Sequence, residues 1–509
     1  MATTAQETLD LVKTARTNAN EDIAKSFSQA GSAVSGLTAY DLEAPARTIY
    51  PVLTPLRNRI PRVSGKGGIQ ANWRAITGIN TAAMSVGLAE GNRGGVVTTT
   101  TADYLAAYRG IGLDDYATFE ADYAANGFDD VKARAVQGLL RSLMIGEEMM
   151  IVGGNTSVAL GTTATPSLTP STSGGSIATG TTYSVICVAL GPDAYWSVAG
   201  SNNGSTGASF SALTATVPGS VSRTNADATT TTYGGGAAQK SASATFTVTS
   251  GSTGSVACTV TAKAGAAGYA WFLGAVGGER LVALTTINSA VLTALPAGTE
   301  QLASSLPSSD QSTNAYAFDG LLSQIYKSGS GAYVKALATG TAGTGTILTS
   351  NGGGGITQLD DAFSAFYNLY RLSPTDIYVN AQEAKNISIL VIKNGGAPLL
   401  RINRNEGVRD GIAAGDRVTS ILNTITGDEV RVNVHPNIAP GTIMFYCDNL
   451  PYKLSGVNNV VQIRARQDYY QIEWPLRSRK WEYGVYADEV LQNYFPPAFG
   501  AIYNIANGT

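Results

Sequence analysis

The sequence predicts an α+β protein interrupted by an all-β insertion. Three observations carry this. A long amphipathic helical segment ends abruptly at Gly153-Gly154. Charge then nearly vanishes: only eight of the chain's 34 basic and 37 acidic residues lie between Gly154 and Ser305. After Pro307 the charged, mixed helix-and-strand character returns, and the chain closes in strands.

Within residues 1–45, Thr4 and Glu7 have capping-box spacing ahead of Leu9, Val12 and Ala15. This apolar face is too small to fold alone. The run APARTIYPVLTPLRNRIPRV carries four prolines and is expected to be extended, nearly free of helix. IQANWRAIT (Ile69–Thr77) alternates with period two, and VVTTTTADYLAAYRGIG returns after a glycine-containing tip. Together they predict a long hairpin that projects, and an isolated hairpin is not stable in water.

Asp129 or Asp130 is placed to cap a helix over 129–152. Val136, Leu139, Leu140, Leu143, Met144 and Ile151 form its apolar stripe. About 24 residues span ~36 Å, and the glycines offer a left-handed stop. In the charge-poor segment, TYSVICVAL, SATFTVTS, SVACTVTA, YAWFLGAV and ERLVALTTI alternate between Gly/Ser/Asn turns, the pattern of a β-sandwich. Further on, FDGLLSQIY predicts a short helix, and Thr357 is expected to cap another with Leu359, Phe363, Phe366 and Tyr370 on one side. SPTDIYVN reads as turn and strand, AQEAKNISILVI as helix, and the remainder from Asp416 mostly as strands.

Composition narrows function. A net charge of −3 and a charged fraction of 14% argue against a protein that grips nucleic acid. No apolar run of ~18 residues predicts a membrane span, and the first twenty residues do not read as a secretory signal. Cys187, Cys258 and Cys447 have no metal spacing and fit reduced thiols. Cys187 and Cys258 flank Trp196 in immunoglobulin-like order, but two separate buried thiols are favoured over a disulfide. The single histidine, His435, precludes most multi-histidine sites, and its Pro/Gly surroundings predict a turn or surface role.

Three stretches are candidate sites. Glu147 and Glu148 are adjacent on the helix and diverge by about 100°, so ion pairing with a neighbouring element or subunit is favoured over metal or catalysis. Asn351–Gly355 could cradle an anion but lacks G-K-[ST], so a loop is favoured. Arg464, Arg466, Arg477 and Arg479 alternate with aromatics, as on a nucleic-acid surface. Interrupting acids and strand alternation instead favour sheet packing and contacts between subunits. No catalytic residue, metal or cofactor is expected.

The order of parts resembles the major capsid protein of tailed bacteriophages, the Hong Kong 97-type fold. The resemblance rests on Asp129–Gly154 as a spine helix ending in acids and glycines, on AFDGLLSQI (Ala317–Ile325), on LSPTDIYVNAQEAKNI (Leu372–Ile387) and on DYYQIEWPLRSRKWEYGVYADEVLQ (Asp468–Gln492). It implies an N-terminal arm (1–60), an E-loop (61–112), a peripheral domain (113–153, 308–356 and 451–509) and an axial domain (357–450). The inserted immunoglobulin-like sandwich would be 154–307, protruding from the outer surface because its ends leave the body together. The implied function is self-assembly into an icosahedral head of pentamers and hexamers, assembled in the host cytoplasm. It would enclose double-stranded DNA without reading its sequence, with scaffolding, portal and decoration proteins as partners. The hairpin tip Gly78–Gly95 has no lysine, so covalent cross-linking there is not expected. The alternative is a surface-layer or adhesin-type protein with β domains.

Overall fold

The computed structural model describes residues 52–79, 87–126, 129–201, 215–395, 417–450 and 456–508. The capping box Thr4/Glu7 and the arm lie outside them.

The spine helix is Val131–Gly153; Asp130, not Asp129, caps it by accepting from the Ala133 N–H. Its 23 residues rise ~35 Å. Leu139 and Leu143 lie on the closing sheet against Ile111, Tyr483 and Val485. Ile151 and Val152 sink into the main core beside Leu56, Phe318 and Leu321. Leu140, expected on the stripe, is exposed. Gly154 does not take the expected left-handed conformation (φ −53°, ψ 136°). It must be small for another reason: a Cβ there would meet the Phe318 carbonyl at 2.4 Å.

That sheet has four strands in the order Arg62–Ser64, Val461–Glu473, Lys480–Asn493, Arg109–Thr118. The strand following the hairpin therefore breaks at Tyr108. Thr99–Ala107 pairs with Gln70–Ile79, and Arg109 onward joins the closing sheet. The proline-rich run is not helix-free: Pro55–Arg59 forms one helical turn with Pro at its start, where a missing N–H costs nothing.

A six-stranded sheet holds the expected axial strands Asp376–Val379, Glu429–Val434 and Ile443–Tyr446. It also recruits Tyr333–Ala336 and the final strand Gly500–Tyr503, which the domain expectation had assigned to the peripheral part. Helix Thr357–Tyr370 starts from Ile356 without a side-chain cap, so Thr357 is its first residue and not its cap. Helix Ala381–Gly395 follows the Asp376–Val379 strand.

The described part of residues 155–306 holds two facing sheets, one of three strands and one of four, and a separate two-stranded ribbon of Ser220–Thr224 and Thr230–Gly234. Trp271, Cys187, Cys258, Phe246 and Leu292 fill the space between them. The four-stranded sheet is buried on both faces. Its outer face (Ile186, Val188, Phe272, Leu284) is covered by helix Pro192–Ser201, an element not expected from the sequence. Burial on both faces explains why Val185–Leu190 is apolar without interruption. Trp196 sits on that helix, and the tryptophan of the core is Trp271, opposite Cys187 on the neighbouring strand. All three cysteines are free and buried. Burial pushes the Cys187 thiol well above its ordinary value and the Cys258 thiol to about 12.

Candidate functional site

The conspicuous polar centre is the end of the spine helix. Glu147 and Glu148 are both fully buried. Because successive helical side chains diverge, the two carboxylates serve different neighbours. Glu148 accepts from the Leu56 N–H (3.0 Å) and the Arg57 N–H (2.7 Å) at the start of the Pro55–Arg59 turn. It also contacts His435 Nε2 at 2.6 Å. His435 Nδ1 accepts from the Asn437 N–H, which leaves Nε2 as the donor to Glu148. His435 is thus fully buried, against the expected surface role; its partner lies 287 residues away in sequence.

Glu147 faces the closing sheet. It accepts from Arg57 Nε (2.8 Å), Arg62 and the Tyr469 hydroxyl. The Arg62 guanidinium also holds Glu489 (2.5 Å) and Asp468 (2.8 Å) and lies over the Tyr469 ring. Burial and the Glu147 charge push the Glu489 carboxyl above its ordinary value, against the pull of Arg62. A second network lies in the axial sheet, where Asp376 binds Arg59, Arg431 and Asn433. Burial raises the Asp376 carboxyl, but these bonds outweigh it and hold it below its ordinary value.

These are struts. Of the expected neighbouring element or subunit, the partners seen here for Glu147 and Glu148 are elements of the same chain. Among the described residues, no group of three His, Cys, Asp or Glu is placed to hold a metal. The candidate anion cradle is occupied by its own side chain: Asn351 Oδ1 accepts from the Gly353 and Gly355 N–H groups.

The arginines are not one surface. Arg464 is half-buried beside Gln492, and Arg466 pairs with Asp488 and the Gly68 carbonyl. Arg477 is exposed, and Arg479 makes an exposed pair with Glu120. The sequence reading missed Arg57, Arg62, Tyr469 and Glu489, because nothing local marks partners so distant along the chain.

Beyond these networks, the hairpin stands apart. Among the described residues its sheet has two strands, and residues 87–101 are all exposed. Ile76 on one strand and Leu105 on the other are 68% and 66% exposed.

No protein-family model and no curated protein matches the sequence. Among solved structures, the chain is similar to a protein of "The capsid of Myoviridae Phage XM1" (8% identity, 94% of this chain and 100% of the other covered, TM-score 0.40). It is similar to one from "Capsid of native GTA particle computed with C5 symmetry" (8%, 92% and 96%, 0.40). A third is titled "Mycobacterium phage Bobi" (8%, 92% and 95%, 0.38). In its own elements the chain is α+β and follows the order the Hong Kong 97-type resemblance implied: hairpin, long helix, inserted sheets, a mixed sheet-and-helix layer, closing strands.

Proposed function

We propose that this chain is the major capsid protein of a tailed bacteriophage, assembling through repeated copies into the icosahedral head that encloses double-stranded DNA. The observation that carries this reading is the hairpin's exposed outer part. Its base packs on the body through Ala71 and Trp73, but Ile76 and Leu105 on its strands and Leu88 and Val96 in its tip are exposed, with no third strand or covering layer over them among the described residues. Such a hairpin is marginal in water and gains stability by lying on a neighbouring subunit. Closed symmetry then multiplies each modest contact around the shell.

The interior networks support the same reading. Arg57, Arg62, Glu147, Glu148 and His435 brace a ~35 Å helix against the closing sheet and the axial layer, which suits a load-bearing plate. Arg477 and Arg479, exposed at the end of the closing sheet, are assigned to contacts between subunits. The insert stands on the outer face, assembly occurs in the host cytoplasm, and the enclosed DNA is not read by sequence. Scaffolding, portal and decoration proteins are the partners this role requires.

Electron microscopy of the purified chain, expressed with and without a candidate scaffolding protein, tests the reading. Closed thin-walled shells of uniform diameter with external knobs support it. Monomers or flat sheets in both conditions refute it and favour a surface-layer protein.

A further inference from the structure

The loop His435–Thr442 joins four parts of the molecule. His435 binds Glu148 of the spine helix. The Ile438 carbonyl accepts from Asn380 Nδ2, at the start of helix Ala381–Gly395. The Asn437 carbonyl accepts from Trp196 Nε1 of the insert helix, and Ala439 is part of the insert's apolar core, packed with Tyr195. Gly441 accepts from the Ile505 N–H near the C-terminus. The insert is therefore held to the body by this loop as well as by its two connections to the chain.

One group in this junction lacks a partner. Glu383 is fully buried and its Oε1 accepts from the Gly441 N–H (2.8 Å) and Gln382 Nε2 (3.0 Å), but Oε2 has no hydrogen-bond partner among the described residues. A buried carboxylate oxygen without a donor is costly. The group can take a proton, or the site can open to water. Around Glu383, the ionisable side chain acting from another element is the Tyr195 hydroxyl of the insert helix. Burial and then the Glu383 charge raise that hydroxyl above its ordinary value, so Tyr195 stays protonated. The loop contributes an uncharged N–H.

We propose that this loop is a proton-controlled latch between insert and body: it is closed while the Glu383 carboxyl is neutral, and ionisation of that carboxyl releases the loop and the insert helix. Burial raises the Glu383 carboxyl to about 7, against the Gly441 and Gln382 bonds. The sign follows. The open site binds fewer protons than the closed one between the ordinary 4.5 and about 7, so the closed state loses stability as pH rises through that window. The proposal does not depend on the capsid reading, since it concerns one chain.

Amide hydrogen exchange of the full chain from pH 4.5 to 8.5, corrected for intrinsic rates, tests it. The opening equilibrium at Gly441 and Tyr195 should rise by up to about tenfold per pH unit below about 7 and then level off. Glu383→Gln and Glu383→Met, neither of which can ionise, should abolish the slope. A flat wild-type profile, or the same slope in a variant, overturns the proposal. If neither variant folds, the wild type still decides, with the Leu56 and Arg57 amides on Glu148 as the reference. A slope confined to the latch supports the proposal, and an equal slope at both places overturns it.

Discussion

Arg62 is the most exposed to test of the buried struts. Replacing it with Met keeps most of the apolar stem and removes the guanidinium from Glu147, Glu489 and Asp468. Both glutamates are fully buried. Breaking a buried ion pair from one side costs about 3–5 kcal/mol. Two features keep the cost at the low end. Arg57 and Tyr469 still serve Glu147, and Glu489 takes up a proton near neutrality, its carboxyl being raised to about 8. The expected loss at pH 7 is therefore about 3 kcal/mol. Glu489 is an acid raised above its ordinary 4.5, so its contribution is full at low pH and is lost as pH rises through about 8. Without Arg62 that carboxyl rises further, and the gap between variant and wild type widens above pH 8 by up to ~1.4 kcal/mol per unit. The assay is amide exchange across the strand pair Val461–Glu473 and Lys480–Asn493, which reads local opening in a chain too large for one global unfolding step. A loss under about 1 kcal/mol at pH 7, or a gap constant from pH 6 to 9, refutes the reasoning.

Three further outcomes are expected. Glu148→Gln keeps the shape but turns one acceptor into a donor facing either the Arg57 N–H or the Leu56 N–H and His435 Nε2; it should cost ~2 kcal/mol and speed exchange of the affected amide roughly 30-fold. Gly345→Ala meets Ala506 Cβ at 2.7 Å and Ile287 Cδ1 at 2.9 Å with φ at +73°. It should cost about 2–4 kcal/mol, read as a lowered melting temperature. Cys187, Cys258 and Cys447, all buried with thiols raised by burial, should resist a thiol reagent in the native chain and react on unfolding; rapid native labelling contradicts this.

The sequence exposes periodic features and conceals distant pairings. The spine helix was legible because its stripe and the Asp130 cap are local. The central insert strands were legible because short apolar-rich runs stand between Gly/Ser/Asn turns. Helix Pro192–Ser201 was missed although Pro and Asp open it, signals that mark a helix start. His435 looked like a turn residue because its neighbours are Pro and Gly, and so it is, yet the residue that buries it comes from another element. The same holds for Arg62: its partners at 147, 468 and 489 belong to a helix and two strands whose meeting no local pattern predicts. The final strand Gly500–Tyr503 fits either sheet by composition, and only pairing with Ile443–Tyr446 decides.

The divergence of two adjacent glutamates explains how these parts act together. A single acid at the helix end could secure one neighbour. Glu147 reaches the closing sheet through Arg62, and Glu148 reaches the axial loop through His435, while Arg57 contacts both acids from one short helical turn. Force on the chain just before Pro55 is therefore shared between the two sheets instead of peeling one away. The loop that receives Glu148 also holds Trp196 and Ala439 against the insert. The insert is thus bound to the load path of the subunit, and removing residues 155–305 would strip apolar cover from that loop as well as from itself. A deletion variant should accordingly lose amide protection at Ile438 and Gly441 even where the spine helix remains folded. Unchanged protection there would show that the insert is only a passenger on the body.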